Sequence, residues 1–266
     1  MSRKAIVTGA SGAIGSALAD RLRERGWRVA GLDLEADDAR DTIACDVTDA
    51  ASVAKAVPAA IERLDGRVDA LVNNAGVGGP ASAGAPPDEH VERMLAVNVL
   101  GAWRVTAAAI DSIVETRGQV VLVASRMAFL GLPLGAAYGV SKRALVAYAD
   151  ALRAEYGTHV GVTCVHPAFI RTPIHDRTRA AGLRLEGFSR EEPIDGVVKK
   201  LLDACERNGK RDVAVTRAGA LQLSVARHLP RVVDRVVAHT LAKRIAAGEL
   251  DDAPIAAGLR ERHGRA

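Results

Sequence analysis

Residues 4–15 read KAIVTGASGAIG. An apolar run leads into glycines at Gly9, Gly12 and Gly15, and the helical pattern SALADRLRERG (16–26) follows at once. Glycine permits positive φ and close backbone approach. The first turn of the following helix offers unpaired N–H groups and the positive end of its dipole to an anion. In an open parallel sheet, the loop after the first strand is a dinucleotide site. The glycine spacing alone fits a ligand-free strand-to-helix turn equally well, so the remainder of the chain decides.

Further apolar runs fall at 28–32, 42–45, 68–73, 119–124, 160–165 and 212–216. Helical patterns lie between them, at 51–64, 90–110 and 138–157. The runs are apolar at consecutive positions, as strands covered on both faces require. Strand alternating with helix predicts an α/β fold, a Rossmann-type doubly wound parallel sheet of seven strands with helices on both faces. The Gly/Pro/Ala stretch GGPASAGAPP (78–87) reads as a loop inside the domain. The expected organisation is one domain over 1–250, a lid segment over 173–193 within it, and a mobile tail over 251–266.

The formal net charge of the 266 residues is +4, and it sits in one place. Residues 217–266 hold nine Lys/Arg and five Asp/Glu, which leaves 27 of each sign in residues 1–216. A neutral body argues against nucleic acid as a partner. The start of the chain carries no pattern of a secretory signal, and no apolar run approaches the ~18–20 residues of a membrane span. Cys45, Cys164 and Cys205 are scattered without a C-x-x-C, which suits core residues in a reducing cytoplasm and gives no metal motif.

Asp33 ends the second strand, 18 residues after Gly15. A carboxylate there accepts hydrogen bonds from adenosine ribose hydroxyls and repels a 2′-phosphate. At an effective dielectric of ~20, unit charges ~4 Å apart cost about 4 kcal/mol. The glycine loop has no Lys or Arg to offset this, and Glu35 adds negative charge. The expected cofactor is therefore NAD rather than NADP. Asp46, at the end of the third strand, is placed near the adenine or serves as a turn former.

YGVSK (138–142) puts Lys142 one helical turn from Tyr138. A free phenol has a pKa of about 10 and is a poor base at neutral pH. A nearby ammonium favours the phenolate, so Tyr138 is the candidate general acid/base at an alcohol or carbonyl. Ser125 ends the fifth strand, with twelve residues between it and Tyr138, where its hydroxyl can hydrogen-bond the reacting oxygen. NNAG (73–76) ends the fourth strand, and Asn98 lies in the next helix, where a buried amide needs partners.

Taken in this order, the glycine turn, NNAG, Asn98, Ser125 and Tyr138-x-x-x-Lys142 resemble the short-chain dehydrogenase/reductase family over residues 3–216. The resemblance implies that Tyr138 is the acid/base, and that Lys142 binds the nicotinamide ribose and lowers the pKa of Tyr138. It also implies that Ser125 orients substrate and that Asn98 holds a water relaying protons to Lys142. By the same resemblance Gly9, Ser11, Gly12, Ile14 and Gly15 form the pyrophosphate turn. Asp46 and Val47 flank the adenine, and Asn74, Ala75 and Gly76 pack beside the adenosine half. HPAFIRT (166–172) is similar to the family's Pro-Gly segment, which places Pro167, Ile170 and Thr172 at the nicotinamide end. A homodimer or homotetramer through the helices at 90–110 and 138–157 is implied as well.

Two positions depart from the pattern. Ala13 stands where the main branch has glycine, and the resulting Gly-x-x-Gly-x-x-Gly is the spacing of the extended branch; the chain length, NNAG and the Ser125 spacing keep it in the main one. Gly12 is then expected to supply the close approach. Ala168 stands where glycine follows the proline, which narrows the nicotinamide side.

Phe129, Phe169 and Phe188 all fall where the resemblance puts the substrate pocket. That points to an apolar pocket for a lipophilic secondary alcohol or ketone, with ordinary loop packing as the alternative. The lid charges Arg177, Arg179, Arg184 and Arg190 alternate with Asp176, Glu186, Glu191 and Glu192 and read as a solvated face. LPRVVDRVVAHTLAKRIAAGEL (229–250) reads as a basic amphipathic helix with Val232, Val233, Val236, Val237, Leu241 and Ile245 on its apolar side. Packing on protein is the first reading, and contact with an anionic membrane the second. The expected activity is NAD-dependent interconversion of a secondary alcohol and a ketone on a mostly apolar small molecule. The alternatives are a carrier-protein 3-ketoacyl reductase and a nucleotide-binding sensor or scaffold without turnover.

Overall fold

A computed structural model of the chain describes residues 2–183, 191–206 and 210–263. The apolar runs form β1 (Lys4–Thr8), β2 (Arg28–Asp33), β3 (Thr42–Ala44), β4 (Ala70–Asn73), β5 (Gln119–Val123), β6 (Gly161–His166) and β7 (Asp212–Ala214). They make one parallel sheet in the order β3-β2-β1-β4-β5-β6-β7. The strand order reverses between β1 and β4, and in such sheets the crevice at the carboxyl ends beside that reversal takes the ligand.

The helices are α1 (Ala13–Glu24), α2 (Ala50–Arg63), α3 (Glu89–Leu95), α4 (Ala102–Thr116), α5 (Ala136–Tyr156), α6 (Asp176–Ala180), α7 (Ile194–Glu206), α8 (Arg217–His228), α9 (Pro230–Ala246) and α10 (Ala257–His263). Successive strand residues point to opposite layers, which is why the runs are apolar throughout. Ala5 and Val7 face Leu18 and Leu22 of α1 and Val197 and Leu201 of α7. Ile6 faces the other layer, with Val57 of α2, Val105 of α4 and Leu145 of α5.

The helix expected over 90–110 is interrupted. Between α3 and α4 the backbone makes a π turn over Ala96–Gly101. Such turns insert an extra residue and re-aim the side chains around it. Asn98 is thereby only 1% exposed. Gly101 is required here, because a Cβ would lie 2.7 Å from Val47 Cγ2. The continuous 28-residue helical stretch Glu89–Thr116 is long and apolar enough to cross a membrane, contrary to the sequence expectation. Its burial against the sheet and against α2 and α5 makes it a core helix.

The carboxyl-terminal segment also differs. Leu241 is buried and Ile245 packs with it, but Val232 and Val236 of the expected apolar side are 45% and 60% exposed. Residues 251–263, expected to be mobile, fold back on the body. Leu250, Ala253 and Ala256 pack with Leu134, Leu183 and Leu241. Ala253 and Ala256 are fully buried, and their small side chains let the turn Pro254–Ala256 sit close to these leucines.

Candidate active site

The three glycines do different work. Gly9 has φ +63°, and a Cβ there would lie 2.9 Å from Ala75 Cα. At Gly15 a Cβ would lie 2.0 Å from the Gly9 carbonyl oxygen. Gly12 has φ −72°, and its Cβ would meet only that same oxygen at 3.3 Å. Within the chain itself, the tight contact is thus at Gly15 and not at Gly12. The methyl of Ala13 is exposed at the start of α1, so it disturbs no packing. Gly12 caps α1 without a side-chain hydrogen bond, which leaves the first N–H groups facing the crevice.

The second motif holds the first in place. Asn74 Nδ2 donates to the carbonyls of Thr8 and Gly9 at 3.0 and 3.1 Å. The N–H groups of Asn74 and Ala75 both donate to Thr8 Oγ1 at 3.0 Å. Thr8 was not singled out from sequence, because a threonine at a strand end has no signal of its own.

A groove runs along the glycine turn, bounded by Asp33, Asp46, Val47, Gly76 and Thr172. Asp33 accepts from the N–H groups of Ser11 at 2.7 Å and Leu34 at 2.8 Å. Asp46 accepts from the N–H and hydroxyl of Thr48 at 2.8 and 2.7 Å, and these bonds hold its carboxyl below the usual range. Asp46 is therefore a turn former and a groove wall together. Arg93 is the cation on this groove among the described residues.

The groove continues into an apolar cavity whose walls include Ile14, Asn74, Pro167, Ile170 and Ile174. Ser125, Tyr138 and Lys142 meet at that cavity. Ser125 and Tyr138 line it side by side, near enough for the serine hydroxyl to act on the phenol. Ser125 Oγ also accepts from the Met127 N–H at 3.2 Å, which fixes its rotamer at the turn Arg126–Ala128. Lys142 Nζ donates to the Val123 carbonyl at 2.8 Å and lies 5.6 Å from the Tyr138 ring centre.

Asn98 is a clamp. Its Oδ1 accepts from the Val77 N–H at 2.9 Å, and its Nδ2 donates to the Val77 carbonyl at 2.9 Å and to Ser141 Oγ at 3.0 Å. Ser141 in turn donates to the Tyr138 carbonyl at 2.9 Å. Asn98 thus ties the strand-four loop to the catalytic helix, and its amide N–H groups are committed to protein. Ser141, inside YGVSK, is a support the sequence reading passed over. Asn98→Ala would strand the Val77 amide and Ser141; it is expected to cost about 2–3 kcal/mol of stability, read by urea unfolding.

The segment after β6 is braced from behind. Glu192, expected on a solvated face, is 5% exposed. It accepts from the Ala168 N–H at 2.8 Å and from Thr216 Oγ1 at 3.2 Å, with Arg126 4.0 Å away. A run of alternating charges cannot disclose that one of them turns inward. Thr172 Oγ1 donates to the Ile170 carbonyl at 3.4 Å, which holds this wall of the cavity.

A family profile described as short chain dehydrogenase matches residues 3–182. This chain belongs to that family. It is 35% identical over 193 residues to a 2-(R)-hydroxypropyl-CoM dehydrogenase of Xanthobacter autotrophicus, covering 65% of this chain and 77% of the relative. It is 34% identical over 185 residues to a D-threitol dehydrogenase of Mycolicibacterium smegmatis, covering 64% and 71%. Among solved structures, a 3-ketoacyl-(acyl-carrier-protein) reductase from Brucella melitensis complexed with NADH superposes with a TM-score of 0.69 at 27% identity, covering 81% of this chain and 98% of that one. This short-chain dehydrogenase is accordingly an oxidoreductase acting on CH–OH groups, of a family that binds NAD(P).

Two expectations for the dehydrogenase need correction. Burial pushes the Tyr138 phenol up to about 12, against which the Ser125 hydrogen bond works. Burial also pulls Lys142 down to about 8. The ammonium is bonded to a carbonyl rather than to the phenol, so the protein alone does not acidify Tyr138. Phe129 lies outside the catalytic cavity, between the guanidinium carbons of Arg143 at 4.4 Å and Arg227 at 5.1 Å. Phe169 does line the cavity, beside His175. Phe188, Arg184, Glu186 and Arg190 lie outside the described residues.

The residues fit a nicotinamide dinucleotide. The uncapped α1 terminus and the Gly9–Gly15 turn would hold its pyrophosphate, the groove at Asp33 and Asp46 its adenosine end, and the cavity at Ser125 and Tyr138 its nicotinamide end. Cys164, His166 and Asp212 lie close enough together to hold a metal. A direct His166–Asp212 hydrogen bond and the Arg227–Asp212 ion pair account for their proximity.

Proposed function

We propose that the chain is an NAD-dependent oxidoreductase that interconverts a secondary alcohol and a ketone on a mostly apolar small molecule. The observation that carries this reading is that Ser125, Tyr138 and Lys142 meet at one cavity, walled by Met127, Leu130, Leu132, Phe169 and Ile174. Two hydroxyls aimed at one point hold a carbonyl or alcohol oxygen. The nicotinamide cofactor supplies or takes the hydride. Tyr138 gives a proton to the carbonyl oxygen, or takes one from the alcohol. Ser125 orients that oxygen, and Lys142 brings positive charge to the cofactor ribose and the phenol. Asn98, through Ser141, keeps the helix carrying Tyr138 in register with the cofactor groove. Gly9, Ser11, Gly12, Ile14 and Gly15 hold the pyrophosphate; Asp33, Asp46, Val47, Asn74, Ala75 and Gly76 hold the adenosine half; Pro167, Ile170 and Thr172 hold the nicotinamide.

Absorbance of reduced nicotinamide, followed with a panel of secondary alcohols and ketones of rising apolar area, tests the reading. Turnover is expected with NAD and an apolar substrate; tight NAD binding without turnover across the panel overturns it. The NAD preference rests on Asp33. The wild type is expected to bind NADH at least about tenfold more tightly than NADPH, and Asp33→Ser to erase most of that gap, since a charge pair at ~4 Å is worth a few kcal/mol. Tighter NADPH binding by the wild type would reverse the cofactor assignment.

A cytoplasmic homodimer or homotetramer is part of the same proposal. Three buried free cysteines support the reducing compartment. Exposed Leu100, Trp103 and Val140 on the outer side of Glu89–Thr116 and α5 support a subunit contact there. Light scattering reads the mass.

A further inference from the structure

We infer that His166 is a positioning residue that fixes the main chain of Ser125, braced from the far side by Asp212 and by Arg227 of the carboxyl-terminal helix α8. His166 ends β6 and is fully buried. Its Nδ1 lies 3.2 Å from the Ser125 carbonyl oxygen, and its Nε2 lies 2.8 Å from Asp212 Oδ1. The second Asp212 oxygen accepts from Arg227 at 2.7 Å. The catalytic serine, the last strand and the added carboxyl-terminal helix are thus joined in one line of polar contacts.

The chemistry of the ring sharpens this. Both of its partners are acceptors: one is a carbonyl, the other a carboxylate held ionised by its hydrogen bonds from His166 and Arg227. A neutral imidazole has one N–H to give, whereas an imidazolium has two. Each contact calls for an N–H on the nitrogen that faces it, and an Nδ1–H joins the Ala128 N–H as the second donor to the Ser125 carbonyl. The charged and titratable groups around the ring are Asp212 and Arg211 at β7, Arg227 on α8, and Asp150 and Arg153 on α5. Cys164 on β6 completes the set, its thiol pushed up to about 11 by burial. Arg153 and Arg211 share Asp150, and Arg227 is matched by Asp212.

Two substitutions separate positioning from bulk structure. Asn places an amide N–H where Nδ1 stood, and Gln places one where Nε2 stood. His166→Gln is expected to keep the Asp212 contact, lose the Ser125 contact and lower kcat about tenfold, with KM for cofactor unchanged. His166→Asn is expected to restore kcat to within about threefold of wild type, although it loses the Asp212 contact. Equal kcat for wild type and His166→Gln, or equal losses in both variants that track their melting temperatures, overturns the inference. An arm that does not depend on folding of the variants is ¹⁵N NMR of the histidine rings in the wild-type protein at pH 7. A proton on Nδ1 of His166 is expected, and a bare Nδ1 overturns the claim. The kinetic arm rests on the alcohol–ketone reading, but the NMR arm does not, so failure of one is distinguishable from failure of the other.

Discussion

Tyr138→Phe is expected to lower turnover by about 10²–10⁴-fold while leaving cofactor binding within about twofold of wild type. The substitution removes one oxygen from a side chain whose ring wall stays in place. That side chain lines the cavity beside Ser125. Turnover by nicotinamide absorbance and cofactor binding by fluorescence titration check the two halves; retained turnover removes Tyr138 from the acid/base role. The pH dependence follows with its sign. With the phenol raised to about 12, Tyr138 holds its proton at neutral pH, the form that protonates a carbonyl. Alcohol oxidation needs the deprotonated form, so the oxidation rate is expected to rise with pH, and Tyr138→Phe to abolish that rise. Ketone reduction is expected to weaken as pH rises through about 8, where Lys142 loses its charge.

Gly15→Ala is expected to damage the protein more than Gly12→Ala, although both glycines belong to the same motif. The Gly15 Cβ would sit 2.0 Å from the Gly9 oxygen and 2.8 Å from Asn74 Nδ2, so the turn itself must move. The cost is expected to be about 3 kcal/mol of stability, as in strongly overpacked sites. Cofactor affinity is expected to fall at least about tenfold with it, because the displaced turn carries the α1 N–H groups that meet the pyrophosphate. Gly12→Ala has ordinary φ and one close contact at 3.3 Å, and its stability is expected within about 1 kcal/mol of wild type. Chemical denaturation and NADH titration of the two variants check the contrast; equal stability loss in both would mean that the turn yields more easily than its contacts imply.

The order of strands, the glycine turn and the catalytic helix were legible because each is local. An apolar run covered on both faces needs no distant partner to be recognised, and Tyr138 and Lys142 share a face by helical spacing alone. The supports were not legible. Thr8, Ser141, His166 and Glu192 are polar residues whose meaning lies in partners 24 to 67 positions away in the chain, apart from the local Ser141–Tyr138 bond. The charge of Glu192 looked solvent-facing until Ala168 and Thr216 were found beside it. The π turn at Ala96–Gly101 carries no propensity signal and is imposed by the packing of Asn98 and Val47. The exposure of Val232 and Val236 was likewise decided by where α9 could lie against the rest of the chain.

By itself the sequence determined the doubly wound sheet, the place of the cofactor groove and the membership of Ser125, Tyr138 and Lys142 in one site. Periodicity and short-range spacing carry that information without reference to the rest of the molecule. Only the tertiary structure decided which glycine is sterically irreplaceable, which carboxylate turns inward, and that the Lys142 ammonium is spent on a carbonyl while Tyr138 stays a weak acid. Those outcomes depend on burial and on hydrogen-bond partners from other strands and helices, and both exist only once the layers have packed.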